Sequence, residues 1–147
     1  MVRLGPPMGG MTLENDTGRE VVLIAGGTGL APMKALLDQL TQYNSSRWVH
    51  LFVGARDRDD LYDLPALNRL SARYAWLSIV PCCSDDPGYL GERGPVNEVL
   101  ERFGPWADHD FYVCGAPAMV RATLGTLSRL GVPQSRINYD SLSAGRA

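Results

Sequence analysis

Val21-Val-Leu-Ile-Ala-Gly-Gly-Thr-Gly-Leu-Ala-Pro32 decides the fold of this 147-residue chain. Five apolar residues run unbroken from Val21 to Ala25 and stop at glycine, as in a strand buried on both faces. Leu30, Met33, Leu36, Leu37 and Leu40 then recur at helical spacing. Pro32 falls in the first turn of that helix, where its missing N–H costs least.

The same alternation repeats downstream. Trp48–Val53 predicts a second strand ending at Gly54, and Asp63 predicts an N-cap before a helix carrying Leu64, Leu67 and Leu70. Trp76–Val80 predicts a third strand, and Ser84–Gly94 is a loop by composition. Val96, Val99, Leu100 and Phe103 mark a short helix closed by Gly104-Pro105. His109–Cys114 predicts a fourth strand ending at Gly115, and Pro117 opens a helix bearing Val120, Leu124, Leu127 and Leu130, with Gly131 at its C′ position. Arg136–Asp140 predicts a fifth strand. The expected fold is therefore α/β: a doubly wound parallel five-stranded sheet, order 3-2-1-4-5, with helices on both faces. That domain spans 21–147, and residues 1–20 read as a Gly/Pro/Met-rich lead-in and loop.

Composition narrows the partners. Fourteen Lys+Arg against sixteen Asp+Glu leave a net charge of −2, and the signs are scattered, which argues against nucleic acid or an anionic membrane as partner. No apolar run approaches the ~18–20 residues of a membrane span, and the opening residues carry no secretory core. Of the three cysteines, Cys82 and Cys83 are adjacent and ill-suited to bridging, so a reducing cytoplasm is expected. No Cys/His pattern has zinc spacing, so no metal is expected. His50 and His109 fall near strand starts and read as structural residues.

Ligands of open parallel sheets bind beyond the carboxyl ends of the strands, where the winding reverses. Here that crevice lies between strands 1 and 4, flanked by Gly26-Gly27-Thr28-Gly29 and by Cys114-Gly115-Ala116-Pro117. Glycines admit a phosphate close to the backbone, and the following helix presents unpaired N–H groups, so a diphosphate or dinucleotide fits. A tight turn without a ligand is the alternative. Lys34 lacks the flanking residues of a P-loop, and Pro32 stands where GxGxxG requires its third glycine. The position of an acidic ribose hook carries Gly54-Ala-Arg56-Asp57 instead, which disfavours an ordinary Rossmann dehydrogenase and, less strongly, a Rossmann-like methyltransferase. No G-x-S-x-G elbow occurs.

Gly26-Gly-Thr-Gly-Leu-Ala-Pro32, Gly54-Ala-Arg56, Asp60-Leu-Tyr-Asp63, Gly91-Glu-Arg-Gly94 and Cys114-Gly-Ala-Pro-Ala-Met119 occur in this order. Together they resemble the pyridine-nucleotide-binding domain of the ferredoxin–NADP⁺ reductase superfamily, in particular the reductase part of flavohaemoglobin-type proteins and of aromatic-ring oxygenase reductases. The resemblance implies an NAD(P)H-dependent flavin oxidoreductase that positions nicotinamide for hydride transfer to FAD and onward electron transfer. It implies cofactor contacts at Gly26, Gly27, Thr28, Gly29, Pro32, Arg56, Ser84, Asp85, Gly115, Ala116, Pro117 and Met119. Cys114 and Thr28 would lie at the site of hydride transfer. Asp85 and Asp86 would repel a 2′-phosphate, favouring NADH, with NADPH the alternative if Arg56 contacts that phosphate.

The resemblance also makes residues 1–20 the exit strand of a flavin-binding barrel plus linker. The family's Arg-x-Tyr-Ser/Thr flavin signature has no counterpart in Arg73-Tyr74-Ala75, so FAD is expected mainly from a missing or separate barrel domain, in cis upstream or in trans. The expected acceptor is a haem or iron–sulfur protein. Where family members place an aromatic residue over the flavin, this chain has Leu142, with Tyr139 nearby. The alternatives are a stand-alone nucleotide-binding or docking module without redox activity, and the methyltransferase.

Overall fold

β1 (Glu20–Gly26) runs through the interior of a parallel sheet, with β2 (Val49–Ala55) on one side and β5 (His109–Gly115) on the other. The computed structural model describes residues 19–26, 30–43, 47–61, 63–106 and 108–141. The lead-in before Arg19, the residues Gly27, Thr28 and Gly29, and Leu142 lie outside those residues.

Val21 to Ala25 are all fully buried, because β1 has a neighbour on each side and a helical layer over each face. Val21, Leu23 and Ala25 pack under α1 (Leu30–Tyr43) and α2 (Leu64–Arg73) with Met33, Leu36, Leu37, Leu40 and Leu67. Val22 and Ile24 point the other way, against α3 (Val96–Phe103) and α4 (Pro117–Arg129), where Val99, Leu100, Val120 and Leu127 close the second core. The period-two alternation of a strand thus divides one apolar run between two cores.

The expectation of five strands in the order 3-2-1-4-5 is corrected to six among the described residues, in the order β4-β3-β2-β1-β5-β6. The addition is β4 (Glu92–Arg93), inside the segment expected to be loop, where two residues pair in parallel with Cys82 and Cys83. β3 (Leu77–Cys83) also runs three residues beyond the predicted Val80, through Pro81. Its outer side is paired only by β4, so a residue without an N–H is tolerated there. β6 (Ile137–Ser141) completes the far edge against β5.

Two helix ends are instructive. Asp63 occupies the N-cap position of α2, but its carboxylate makes no capping hydrogen bond and lies 3.6 Å from Lys34 Nζ on α1. At the end of α4, Gly131 takes φ +88°, with Gly131 N–H donating to the Ser128 carbonyl and Val132 N–H to the Leu127 carbonyl. This is the paired closure that requires a left-handed residue at C′, as Gly131 was expected to supply.

The amino ends of the strands are tied by charge. Asp110 receives Arg47 Nη2 at 2.7 Å and Arg19 Nε at 2.8 Å, and Arg47 Nε donates to the Arg19 carbonyl at 2.6 Å. Arg47 and Asp110 are both buried.

Candidate functional site

Parallel pairing delivers the exits of β1, β2, β3 and β5 to one edge of the sheet. At its middle the ends of β1 and β5 meet, since Ala25 is in register with Cys114. A Cβ on Gly115 would stand 3.1 Å from the Gly26 carbonyl oxygen and would overlap Met119 Cε. A Cβ on Gly26 would come within 2.9 Å of the same methyl. Two glycines therefore let the strand ends approach through backbone alone and leave Met119 to lie across both.

Three of the expected cofactor residues, Gly26, Gly115 and Met119, are brought to this junction. Ala116 is the exposed N-cap of α4, and Pro117 opens the helix in its first turn. Pro32 is buried in the first turn of α1, which begins four residues after Gly26. Gly27, Thr28 and Gly29 fall in the span outside the described residues.

Cys114 is fully buried in the core beneath α1 and α2. Burial pushes its thiol up to about 12, and Asp140, its register partner on β6, adds to the shift. Burial also raises the Asp140 carboxyl. A thiol so held contributes volume and polarisability rather than a nucleophile.

One strand over, the backbone keeps pairing past the sheet. Ser84 N–H donates to the Ala55 carbonyl at 2.9 Å, and Asp85 N–H to the Arg56 carbonyl at 2.7 Å. This brings Arg56, Ser84 and Asp85 together, all three exposed, with Arg56 Nη2 3.6 Å from Asp85 Oδ2. Sequence reasoning missed the stronger link beside them. Arg58 forks onto Asp86, with Nε to Oδ2 and Nη2 to Oδ1 both at 2.8 Å, and its backbone N–H donates to Oδ2 at 3.1 Å. The guanidinium holds the Asp86 carboxyl down to about 2. Arg58 itself begins a one-turn 3-10 helix whose Asp60 and Asp59 N–H groups are capped by Asp57. An Arg shortly after β2 and an Asp shortly after β3, in loops leaving adjacent parallel strands, was the available signal.

Residues 23–124 match the family described as "Oxidoreductase NAD-binding domain". The chain is 35% identical over 130 residues to the xylene/toluene monooxygenase electron transfer component XylA of Pseudomonas putida, a match covering 86% of this chain and 37% of that protein. It is 33% identical over 142 residues to the ferredoxin–NAD(P)⁺ reductase component of naphthalene 1,2-dioxygenase/salicylate 5-hydroxylase systems of a Ralstonia species, covering 95% and 43%. Among solved structures it superposes on the Amycolatopsis cytochrome P450 reductase GcoB with a TM-score of 0.81 and 30% identity, covering 94% of this chain and 40% of that one. The flavohaem-like FAD/NAD-binding domain of Vibrio cholerae nitric oxide dioxygenase gives 0.79 and 27%, with 91% and 55% covered. The chain thus spans about two-fifths of the length of the curated relatives it matches. Among the described residues, no helix is long and apolar enough to cross a membrane.

Proposed function

The chain belongs to the oxidoreductase NAD-binding domain family, and from that membership we propose that it is the NADH-binding half of a flavoprotein reductase serving an oxygenase-type electron-transfer system. The observation that carries this reading is the contact of Gly26 with Gly115 where the winding of the sheet reverses. Met119 Cε lies where a side chain on either glycine would stand, so a dinucleotide crossing the bare backbone there would pack against that flexible side chain.

In this reading Gly27, Thr28 and Gly29, with the amino end of α1, receive the pyrophosphate through backbone amides. Cys114, Gly115 and Met119 bound the nicotinamide, the thiol by filling space beneath it and the methionine by packing at its edge. Ala116 and Pro117 set the direction in which α4 leaves the site. When bound beside a flavin, the dinucleotide supplies hydride transfer from nicotinamide C4 to flavin N5, chemistry that belongs to the cofactors. This chain's task is then placement and exclusion of water, for which no general acid or base is needed.

Arg56, Ser84 and Asp85 frame the adenosine half. Two cations at that corner already face carboxylates, Arg56 facing Asp85 and Arg58 held by Asp86, while Arg93 donates to the Pro87 carbonyl. A 2′-phosphate would bring a dianion against two acids, whereas a ribose hydroxyl could donate to Asp85. This supports NADH over NADPH. The complementary partners are an FAD-binding barrel, joined upstream or supplied in trans, and an electron acceptor of haem or iron–sulfur type. Three free, buried thiols support a reducing cytoplasm as the place of action.

Calorimetric titration with NADH and NADPH tests the reading. NADH should bind more tightly, and Asp85→Asn should narrow the difference. No binding of either dinucleotide at millimolar concentration would overturn it. Flavin-dependent diaphorase activity should emerge when an FAD-binding barrel of this family is added in trans.

A further inference from the structure

At the opposite end of the sheet from the dinucleotide crevice, three side chains converge that sequence reasoning treated as unrelated. Glu20 opens β1, His109 opens β5, and the two are register partners. His50, second in β2, pairs with Val22, which places it diagonally from Glu20 on the same face. Glu20 Oε1 lies 2.9 Å from His50 Nε2 and 3.3 Å from His109 Nε2, and one ligand atom from each residue fits within 4.8 Å of the others. Donor atoms around a tetrahedral zinc bound at about 2.0–2.1 Å stand roughly 3.3 Å apart. The cluster is therefore close to the required spacing before any metal enters.

The surroundings hold the rings in place. His109 sits edge-on to Trp106 at 4.9 Å, and His50 packs against the same indole at 5.8 Å. Trp106 is itself buried and fixed by its Nε1–H, which donates to the Leu100 carbonyl. On β3, Ser78 Oγ lies 3.1 Å from His50 Nδ1, so that nitrogen can carry the proton and donate to the hydroxyl, freeing Nε2 as a ligand. Among the described residues His109 Nδ1 is buried with no hydrogen-bond partner, and Nε2 is the nitrogen that faces Glu20. The side chains of Glu20, His50 and His109 retain 44, 27 and 15% exposure, which leaves an open side for ion entry and for water to complete the coordination.

We propose that Glu20, His50 and His109 form a binding site for a borderline divalent cation of the zinc type, clipping together the amino ends of the three adjacent strands β2, β1 and β5. Two imidazoles and one carboxylate favour such an ion over calcium or magnesium, which prefer all-oxygen shells. The site lies a strand's length, roughly 20 Å, from the dinucleotide crevice. Its role is structural or regulatory, and it is independent of the nucleotide reading.

The test uses the full chain without an affinity tag, titrated with Zn²⁺. The chain has only two histidines, so their imidazole ¹⁵N signals report the site directly. Both Nε2 signals should shift together and saturate at one ion per chain. At about 100 μM Zn²⁺ the thermal midpoint should rise, because the ion binds the folded state. Ser78→Ala should weaken affinity about tenfold through the lost support of His50, and a His50→Gln/His109→Gln double variant should abolish both responses. Absence of saturable binding, or binding that leaves either imidazole unperturbed, would overturn the proposal in the unaltered chain, whatever the fate of the variants. Persistence of the thermal shift in a folded double variant would do the same.

Discussion

The carbonyl oxygen of Gly26 stands 3.1 Å from where a Cβ on Gly115 would be, so β1 and β5 end in backbone-to-backbone contact. A methyl at Gly115 would also overlap Met119 Cε, but that is the free end of a flexible side chain and can swing aside. The Gly26 carbonyl cannot move without dragging the strand end that leads into Gly27-Thr28-Gly29. Gly115→Ala should therefore cost about 1–2 kcal/mol of stability, read from urea unfolding. It should also weaken NADH binding in calorimetry. Adding Met119→Ala removes the side-chain clash and leaves the backbone one, so the double variant should stay impaired. Full recovery of binding would place the constraint in Met119 instead.

The cysteines give a chemical check on the two cores. Burial is the first cause of the upward shift at all three, and it takes Cys82 and Cys114 to about 12. A thiol with that value is ionised in roughly one molecule in ten thousand at pH 8, and the thiolate is the reactive form. A disulfide exchange reagent at pH 8 should leave Cys82 and Cys114 unmodified in the native chain and titrate all three cysteines in denaturant. Reactivity should rise with pH, since each step upward increases the thiolate fraction. Fast native labelling of Cys114, located by peptide mapping, would mean that the strand end is open.

Legibility followed the physics of each element. Val21–Ala25 could be read as a central strand because burial on both faces leaves an unbroken apolar run, and Gly131 because a left-handed C′ residue excludes most alternatives. β4 could not, since Glu92 and Arg93 are polar and join the sheet by backbone pairing to Cys82 and Cys83. Pro81 hid the end of β3, because a local preference against strand was overridden by pairing with β2. At the site, Gly26 and Gly115 were legible from their place after strands. Arg58–Asp86 and Glu20–His50–His109 were not, because each joins residues separated by one or more whole elements. Alternation did hold a clue. Glu20 with Val22, His50 with Phe52 and His109 with Phe111 each put a titratable group on the face of a buried apolar one, and only the strand register was lacking.

Asp110 offers a test of the opposite end of the sheet. It accepts from Arg47 and Arg19, and the Arg47 and Asp110 side chains are each only 5% exposed. Asp110→Asn keeps the shape and removes the charge that balances a buried guanidinium. Breaking a buried pair in this way costs about 3–5 kcal/mol, a large part of the roughly 5–15 kcal/mol that holds a domain of this kind folded. The urea midpoint should fall accordingly, while NADH affinity of the molecules still folded should stay the same. A loss of no more than a few tenths of a kcal/mol would mean that water or another group meets the Arg47 charge in place of Asp110.

The Arg58–Asp86 fork should respond to acid in a defined window. Its hydrogen bonds are the largest cause of the fall in the Asp86 carboxyl from 3.8 to about 2. Because the folded value lies below the ordinary one, the contact is fully present above about pH 4. It is lost as the pH falls through about 2. Arg58 is exposed and Asp86 half-buried, and a single ion pair that water reaches from one side contributes little to global stability, so the unfolding midpoint is not the right readout. The Asp86 carboxyl ¹³C shift is, and its titration midpoint should lie near 2. Arg58→Gln should move that midpoint up toward 3.8 and loosen the Asp86 end of the loop, with faster exchange at the Tyr89 N–H that donates to the Asp86 carbonyl. A midpoint near 3.8 in the unaltered chain would show that the fork does not persist in solution, and the argument for two already-engaged cations at the adenosine corner would fail with it.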